Sequence, residues 1–403
     1  MINSLRGMND MFYPDSALYE QFISVATKVA SRYGYRFLQT PTLEQTSLFK
    51  RSVGESSDIV NKEMYQFTDK GSNDVCLRPE GTAGVVRAFI QHKLDRAGGV
   101  HRYFYHGSMF RYERPQKGRL REFHQFGIES FGIESAYEDA TTILMLCDIF
   151  NELAIEYTLS INSIADENCM PAYKKMLIEF LELQNDKICE DCCKRKKLNP
   201  IRVLDCKNSN CQLIYKDAPK LLDHLCDSCN NEFEQLKSIL DDNSIEYKID
   251  THLVRGLDYY NRTAFEFISG DIGAQNAIAG GGRYDKLCEH LGGRATPAVG
   301  AAIGLERVLE LIKLGLEPTQ SYYFGAMDSE SIPMLIRAAR IKRAVAPCNI
   351  EYRPRSLKAH LKNADKANAS YCVIIGEDER KDAKLWIKNL QDNTQNRVDI
   401  DKF

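Results

Sequence analysis

The sequence predicts an α+β fold on three observations. Residues 110–132 have the pattern of a strand, a loop broken by Pro115 and Gly118, and a returning strand. Apolar residues recur at helical spacing from Leu18 to Val29. Near the C-terminus, the apolar run Tyr371–Ile375 alternates with helix-like segments, which indicates a small α/β domain.

Length and composition favour a globular protein of several domains. The chain has 403 residues, enough for two to four domains and more than one core. Its net charge of −3 gives no general nucleic-acid signal, so any site for a polyanion must be a local patch. No apolar run of about 18 residues predicts a membrane span, and residues 1–15 lack the apolar region of a signal peptide. Thirteen cysteines without a secretion signal favour a reducing, cytoplasmic location.

The first predicted elements are a helix and a short strand. Ser16 can cap the helix, and Gly34 ends it. Tyr35–Thr40 then has a strand pattern and meets Pro41, which favours an edge or an interface over a central position in a sheet.

The predicted hairpin at 110–132 is strongly basic. Within eleven residues it carries Arg111, Arg114, Lys117, Arg119 and Arg121. Arginine forks of this kind hold polyphosphates, and the neighbouring phenyl rings can hold a planar base. The alternative is a solvated basic hairpin on the surface.

A turn at Arg78–Thr82 is a second candidate site. Pro79 and Gly81 fix the turn so that Glu80 and Thr82 lie side by side. A carboxylate and a hydroxyl together suit an ammonium group. The alternative is a helix start capped by Thr82.

Three stretches resemble the signature motifs of class II aminoacyl-tRNA synthetases. The order helix, Gly34, strand, Pro41 is similar to motif 1, through which those enzymes dimerise. Phe110–Glu113, followed by a loop and Arg119-x-x-x-Phe123, is similar to motif 2. Gly300–Arg307 is similar to motif 3, a strand that enters a helix.

Two further stretches narrow the resemblance to one family. Leu253–Tyr260 and Ala279–Asp285 resemble the histidine-specific motifs of the histidyl-tRNA synthetases, and so does the string from Phe123 through Glu129. Glycines in the second stretch permit positive φ and a close backbone approach to a ligand. All the motifs occur in the family's order, and the resemblance covers essentially the whole chain. The alternative, strand aromatics beside a plain glycine turn, does not explain this order.

The resemblance implies a division into domains. Residues 1–160 and 243–316 would form the catalytic core, an antiparallel sheet flanked by helices. Residues 161–242 would form a helical, cysteine-rich insertion domain, and 317–403 a C-terminal α/β anticodon-binding domain. Residues 317–319 have the composition of a linker, and the region of Tyr35–Pro41 would form a homodimer interface.

The resemblance also implies a reaction in two steps. The carboxylate of L-histidine attacks the α-phosphorus of ATP, which gives histidyl-adenylate and pyrophosphate, with Mg²⁺ accompanying the ATP. Histidine then passes to the 3′ end of tRNA(His). No side-chain nucleophile is needed, so catalysis depends on positioning and on charge stabilisation. Arg111 and Arg255 would be the catalytic residues at the α-phosphate.

Other roles follow from the matching positions. Histidine would be bound by Glu80, Gly81, Thr82, Gln125, Glu129, Tyr259 and Tyr260. ATP would be bound by Arg111, Glu113, Arg119, Phe123 and Arg307. Gln116, Lys358 and Lys362 would contact tRNA, although a lysine stripe on a helix is usually a solvated face. His124 points to the opposite face of its strand from Phe123 and Gln125, which indicates a structural role.

Cysteines cluster in the predicted insertion domain. Two C-x-x-C pairs, Cys189/Cys192 and Cys226/Cys229, form a signature of structural zinc bound by four thiolates. The activity of the family does not require zinc, so free thiols remain the alternative and the metal stays unknown.

The rival functions are a non-catalytic relative and a different synthetase. The regulatory subunit of ATP phosphoribosyltransferase shares the core fold, but it usually lacks the C-terminal domain and loses catalytic arginines. Here Arg111, Arg255, Arg307 and the α/β tail are all present. Tyr259 and Tyr260 argue against a synthetase for another amino acid.

Overall fold

The structure, a computed structural model, describes residues 2–54, 57–206, 208–254, 256–270, 276–312 and 320–403. The chain divides into two compact units, Met1–Leu314 and Gly315–Phe403. Arg255 and the predicted linker at 317–319 lie outside the described residues.

The strands are numbered in chain order. They are β1 (Arg36–Phe37), β2 (Leu43–Gln45), β3 (Gln66–Thr68), β4 (Asp74–Leu77), β5 (His101–Phe110), β6 (Glu122–Phe131), β7 (Thr158–Ser163), β8 (Tyr247–Ile249), β9 (Asn261–Ile268), β10 (Ala277–Arg283), β11 (Ala298–Gly304), β12 (Tyr322–Ala326), β13 (Cys348–Glu351), β14 (Tyr371–Ile375), β15 (Lys384–Asn389) and β16 (Gln395–Asp399).

The α-helices are numbered in the same way. They are α1 (Asp15–Arg32), α2 (Thr46–Val53), α3 (Thr82–Gln91), α4 (Ala136–Glu152), α5 (Met170–Leu183), α6 (Glu190–Leu198), α7 (Ser209–Tyr215), α8 (Asp227–Asp242), α9 (Leu287–His290), α10 (Leu305–Leu309), α11 (Ile332–Lys342), α12 (Leu357–Lys366) and α13 (Glu377–Asp382).

An eight-stranded sheet in the order β1-β5-β6-β11-β10-β9-β7-β8 organises the first unit. In this sheet order, each of the strands β5, β6, β11, β10, β9 and β7 pairs antiparallel with the next. The edge strands β1 and β8 pair parallel to their neighbours β5 and β7. The α+β prediction is therefore confirmed, with parallel pairing added at both edges. β1 is the predicted edge strand, but it is shorter than Tyr35–Thr40.

The predicted hairpin is formed by β5 and β6. Pairing extends from His101 opposite Phe131 to Phe110 opposite Glu122. The basic residues all lie in the eleven-residue connection 111–121, so they belong to the loop, and the first strand of the hairpin precedes the predicted range except for Phe110. One isolated bridge between Gln116 and Arg119 closes this loop.

Helices α1 and α4 cover one face of the sheet. Phe22, Ala26 and Val29 of α1 are fully buried, as their helical spacing predicts. The helix starts at Asp15 without a side-chain cap, so the predicted cap by Ser16 is wrong. Gly34 follows the helix with φ of +80°, a conformation that glycine adopts at little cost.

The glycines of the Ala279–Asp285 stretch lie in β10 and have no positive φ. The close approach of neighbouring backbone atoms explains instead why glycine occupies these positions. A Cβ on Gly281 would lie 2.1 Å from the carbonyl oxygen of Gly300, and one on Gly282 would lie 2.4 Å from that of Thr263. Neighbouring backbone, rather than a turn, therefore requires glycine at these two positions.

The insertion begins after β7, so residues 161–163 belong to the sheet. Helices α5, α6 and α7 surround a separate core that includes five buried cysteines and Tyr173. Helix α8 leaves this core and packs on α4, and its Leu236 and Leu240 are fully buried in the main core. The insertion is thus tied to the sheet at both of its ends.

The second unit is a five-stranded sheet in the order β13-β12-β14-β15-β16. Helix α11 packs through Leu335 and Ala338 on one face, and α12 packs through Ala364 on the other. Leu357, the first residue of α12, is 36% exposed. Among the described residues of both units, no helix is long and apolar enough to cross a membrane.

Arg283 is a buried cation at the centre of the first unit. It is 1% exposed and pairs with Asp139 at 2.5 Å and with Asp285 at 3.0 Å. It also donates to the carbonyl oxygens of Ile133 at 3.0 Å and Ser135 at 2.9 Å.

Arg283→Ala should lower the free energy of unfolding by about 3–5 kcal/mol, because it leaves two carboxylates without their buried partner. Arg32→Ala is the matched control, since it removes a surface ion pair with Glu152 that is worth about 0–1 kcal/mol. Urea unfolding followed by circular dichroism measures both. Equal midpoints for the two variants would show that the buried network adds no more than a surface pair.

Candidate functional site

The turn at Arg78–Thr82 holds a buried carboxylate. Glu80 accepts hydrogen bonds from the backbone N–H of Thr82 at 2.6 Å and of Ala83 at 2.9 Å. The side chain of Glu80, rather than that of Thr82, therefore occupies the N-terminus of α3. Burial raises the pKa of Glu80, although the two N–H groups oppose the shift.

Glu129 on β6 is the centre of the candidate histidine pocket. It is completely buried and accepts hydrogen bonds from Thr82 Oγ1 at 2.7 Å, from Tyr105 at 3.2 Å and from the hydroxyl of Tyr284. Burial raises its pKa to about 8; hydroxyl donors oppose the shift, and the charge of Glu80 adds to it. The structure thus brings together Glu80, Thr82 and Glu129, as the sequence predicts.

Tyr105 and Tyr284 were not assigned a role from the sequence. Tyr105 pairs with Gly127 across the hairpin, and a Cβ on Gly81 or Gly127 would lie 2.1 Å from its ring. Glycine is therefore required at position 81 because a larger residue would collide with Tyr105. The family resemblance implies a different role for Gly81, namely direct contact with histidine. The sequence did contain a signal for a role of Tyr284, because this residue lies in the Ala279–Asp285 stretch that resembles a family motif.

Two buried polar atoms in this region have no hydrogen-bond partner. They are the hydroxyl of Tyr259 and Oε1 of Gln125. The ring centroid of Tyr259 lies 4.6 Å from that of Tyr260 and 5.7 Å from that of Tyr284. Because buried polar groups normally have partners, both atoms suit a polar ligand.

A cavity of about 220 Å³ is lined in part by Gln125, which lies on the same face of β6 as Glu129. Its lining contains all five residues predicted to bind ATP, namely Arg111, Glu113, Arg119, Phe123 and Arg307. Strands β6, β10 and β11 form its floor, and the 111–121 loop forms one wall.

The cations of this cavity are held in place by backbone and ring contacts. Arg111 Nε donates to the carbonyl oxygen of Pro79 at 2.9 Å, and its guanidinium lies 5.2 Å from the ring centroid of Phe123. Arg307 Nε donates to the carbonyl oxygen of Gly118 at 3.0 Å. Burial lowers the pKa of Arg307, and the nearby charge of Arg119 lowers it further. Such a concentration of positive charge favours a polyanion.

Glu113 and His124 differ in their surroundings. Glu113 forms an ion pair with Arg119 at 2.9 Å beside the cavity. His124 Nδ1 lies 2.8 Å from Glu306, and Nε2 lies 3.2 Å from Ser108 Oγ. The ring therefore links β6 to α10 and β5, in agreement with a structural role.

Arg255 lies outside the described residues, but the chain beside it is held by the insertion. Arg202 donates to the carbonyl oxygen of Gly256 at 2.7 Å and pairs with Asp258 at 3.1 Å. Asn199 also donates to Asp258, at 3.1 Å.

The residues predicted to contact tRNA lie in different units. Gln116 is exposed in the 111–121 loop of the first unit. Lys358 and Lys362 are exposed on α12 of the second unit.

The predicted grouping of the four C-x-x-C cysteines is wrong. Cys189 and Cys192 lie with Cys206 and Cys211, whereas Cys226 and Cys229 lie with Cys169 and Asp166. Each C-x-x-C pair belongs to a separate cluster, because the fold brings different ligating residues next to each pair.

Two family models match the chain. The model described as Histidyl-tRNA synthetase matches residues 7–308, and the one described as Anticodon binding domain matches residues 338–403. The chain is 61% identical to Histidine–tRNA ligase of Sulfurimonas denitrificans, over 99% of each chain. It is 58% identical to the ligase of that name from Nitratiruptor, over 100% of this chain and 99% of that one.

A solved structure has the same architecture. It is the apo histidyl-tRNA synthetase of S. aureus, with a TM-score of 0.83 and 31% identity over 100% of this chain and 98% of that one. The matched sequence and the matched fold agree, and the chain belongs to the histidyl-tRNA synthetase family.

Proposed function

We propose that the protein is a histidine–tRNA ligase, which activates L-histidine with ATP and transfers it to tRNA(His). The observation that carries the proposal is the arrangement on β6, where the buried Glu129 shares one face of the strand with Gln125 and Phe123, which line an arginine-lined cavity. Two relatives at 61% and 58% identity, both named histidine–tRNA ligase, support this function over a regulatory, non-catalytic one.

In the first step, a histidine carboxylate oxygen attacks the α-phosphorus, and pyrophosphate leaves. Arg111 lies in the cavity and is bonded to Pro79, the neighbour of Glu80, so it is suited to the phosphate nearest the amino acid. Its fixed, permanently charged fork stabilises the charge that builds up on the phosphate oxygens. We assign Arg255 to the same phosphate on the family resemblance.

The rest of the cavity suits the nucleotide. Phe123 and Arg307 offer a ring face and a planar cation between which adenine can stack. Glu113 and Arg119, which are paired at 2.9 Å, are suited to the adenosine and phosphate groups of a folded ATP.

Histidine itself fits the polar groups of the buried pocket. Oε1 of Gln125, which has no partner, is suited to the α-ammonium group together with Glu80 and Thr82. Glu129 and the hydroxyl of Tyr259 are suited to the two imidazole nitrogens, and Tyr260 packs against Tyr259. An apolar side chain of similar shape would leave these groups unpaired, which is a strong basis for rejection.

Mg²⁺ bound with ATP fits the carboxylates of the cavity. Glu266 and Glu306 line it and offer the oxygen ligands that Mg²⁺ prefers. Among the described residues, groups of three or more ligating side chains occur only in the insertion. This agrees with an ion held largely by phosphate and water, which would neutralise charge on the triphosphate.

The exposed basic and polar residues suit tRNA. Gln116, in the loop beside the cavity, would meet the 3′ end of tRNA. Lys358 and Lys362 would contact the tRNA backbone, and the match of 338–403 to an anticodon-binding family supports this. Its tRNA substrate makes the cytoplasm the expected location.

A homodimer through the β1 edge is supported by exposed apolar side chains. Phe37 is 50% exposed on β1, and Leu43 is 42% exposed on β2. A sheet edge with such residues is suited to pairing with a second copy of the chain.

Exchange of labelled pyrophosphate into ATP tests the proposed function. With no tRNA and each of the twenty amino acids in turn, exchange should depend on histidine alone, because adenylation is reversible. No exchange by well-folded protein would favour the non-catalytic alternative. Exchange with another amino acid would overturn the assignment of the Glu129 pocket.

Arg111→Ala should slow histidine-dependent exchange by about 100- to 1000-fold, because it removes a fixed donor to the reacting phosphate. Arg114→Ala is the matched control, since Arg114 is an exposed arginine of the same loop. Its rate should stay near wild type. Similar rates for both variants would remove Arg111 from the catalytic step.

Glu129→Gln should make stability less dependent on pH. Burial raises the pKa of Glu129 from 4.5 to about 8, so over this range the unfolded chain releases a proton that the folded chain retains. The free energy of unfolding therefore falls as pH rises from about 5 to about 8. The melting temperature of wild type should fall more steeply than that of Glu129→Gln. Parallel curves would contradict the raised pKa.

A further inference from the structure

The insertion contains two compact groups of metal-ligating side chains. The four-cysteine cluster consists of Cys189, Cys192, Cys206 and Cys211. The three-cysteine cluster consists of Asp166, Cys169, Cys226 and Cys229. Within each cluster, one ligand atom from every residue lies within 4.8 Å of all the others.

The four-cysteine cluster has the dimensions of a tetrahedral site. The sulfurs of Cys189 and Cys206 lie 3.8 Å apart. Zinc–sulfur bonds of about 2.3 Å in a regular tetrahedron require sulfurs about 3.8 Å apart. Cys192, Cys206 and Cys211 are buried, so the ion would be closed off from solvent, as structural zinc is.

Backbone N–H groups point at the sulfurs of this cluster. The N–H of Cys189 donates to Cys211 Sγ at 3.2 Å, and the N–H of Asn208 donates to Cys206 Sγ at 3.4 Å. Such hydrogen bonds stabilise thiolates and orient them around a metal.

The three-cysteine cluster repeats this arrangement. Cys226 immediately precedes α8, just as Cys189 immediately precedes α6, so both C-x-x-C pairs present their sulfurs from the first turn of a helix. The N–H of Cys226 donates to Cys169 Sγ at 3.1 Å, which matches the bond between Cys189 and Cys211. Two unrelated segments of the chain thus have the same local geometry.

Asp166 occupies the place of a fourth cysteine in this cluster. It stands three residues before Cys169, which is the spacing within each C-x-x-C pair. Its Oδ1 accepts from the N–H groups of Asn168 at 2.9 Å and Cys169 at 3.2 Å, and these bonds fix the carboxylate beside the sulfurs. A carboxylate oxygen is an accepted zinc ligand alongside thiolates.

We propose that the insertion binds two structural zinc ions, one held by the four-cysteine cluster and one by the three-cysteine cluster. Disulfides would pair the sulfurs in twos and leave Asp166 and one sulfur of its cluster unexplained. Tetrahedral sites of sulfur ligands select zinc or iron, and a closed site with four protein ligands is typical of structural zinc.

The positions of the two sites give them a structural task. Cys169 follows β7 and Cys229 lies in α8, so one ion would join the catalytic sheet to the last helix of the insertion. Cys206 closely follows residues 200–203, and Arg202 of that segment holds Gly256 and Asp258. The other ion would therefore stiffen the segment that contacts the chain next to Arg255.

Metal analysis of the full-length chain by mass spectrometry tests the proposal. Protein purified without chelators should contain about two zinc ions per chain. Cys211→Ser and Cys229→Ser should each contain about one, and the double variant none. Cys193→Ser is the matched control, because Cys193 neighbours Cys192 but its sulfur contacts the carbonyl oxygen of Asn185 at 3.9 Å. It should keep both ions.

A second measurement serves if a variant fails to fold. Replacing zinc by Co²⁺ in the wild-type chain should give the absorption of tetrahedral cobalt with thiolate charge transfer, at two equivalents. A folded wild-type chain free of zinc, an iron content, disulfides among these cysteines, or equal zinc in Cys211→Ser and Cys193→Ser would each overturn the proposal. The zinc count does not depend on aminoacylation, so its failure would leave the proposed function standing.

Discussion

The alternation of side chains along one strand is the constraint on which the two pockets depend. Phe123, Gln125, Gly127 and Glu129 occupy every second position of β6 and therefore share one face. Phe123 and Gln125 line the arginine-rich cavity, Gly127 makes room for Tyr105, and Glu129 accepts a hydrogen bond from Tyr105 in the candidate histidine pocket. Pairing of β6 with β5 and β11 fixes which side chains lie on this face. If β6 shifted by one residue, its pocket side chains would turn into the core and its core side chains would turn into the pocket.

The opposite face of the same strand secures the fold. Phe126 and Ile128 are fully buried against the helices, and the ring of Phe126 lies 6.1 Å from that of Phe22 in α1. His124 joins this side through Glu306. Because one strand supplies both the core and the site, packing of α1 and α4 holds the pocket residues in position without contacting the pocket itself.

Electrostatics divide the site into two parts. The candidate histidine pocket has buried carboxyl groups whose pKa values are raised by the loss of water, and hydroxyl groups around Glu129 compensate for part of that cost. The adjoining cavity holds arginines that backbone carbonyl oxygens fix in place. Gln125 therefore lies between a carboxyl-rich part and an arginine-rich part of the site, and the proposed function depends on this separation.

The sequence by itself determined the α+β class, the order of the motifs and most residues of the two pockets. Those features depend on local patterns: helical spacing in α1, the apolar run of β14 and the arginines around the hairpin. It did not determine that Tyr105 fills the space left by Gly81, because that contact joins residues distant in the chain. It also paired the wrong cysteines, since two C-x-x-C motifs look alike in sequence. Only the tertiary structure decided that Cys206 and Cys211 meet one pair and Asp166 and Cys169 the other, because cluster membership depends on which segments the fold brings together.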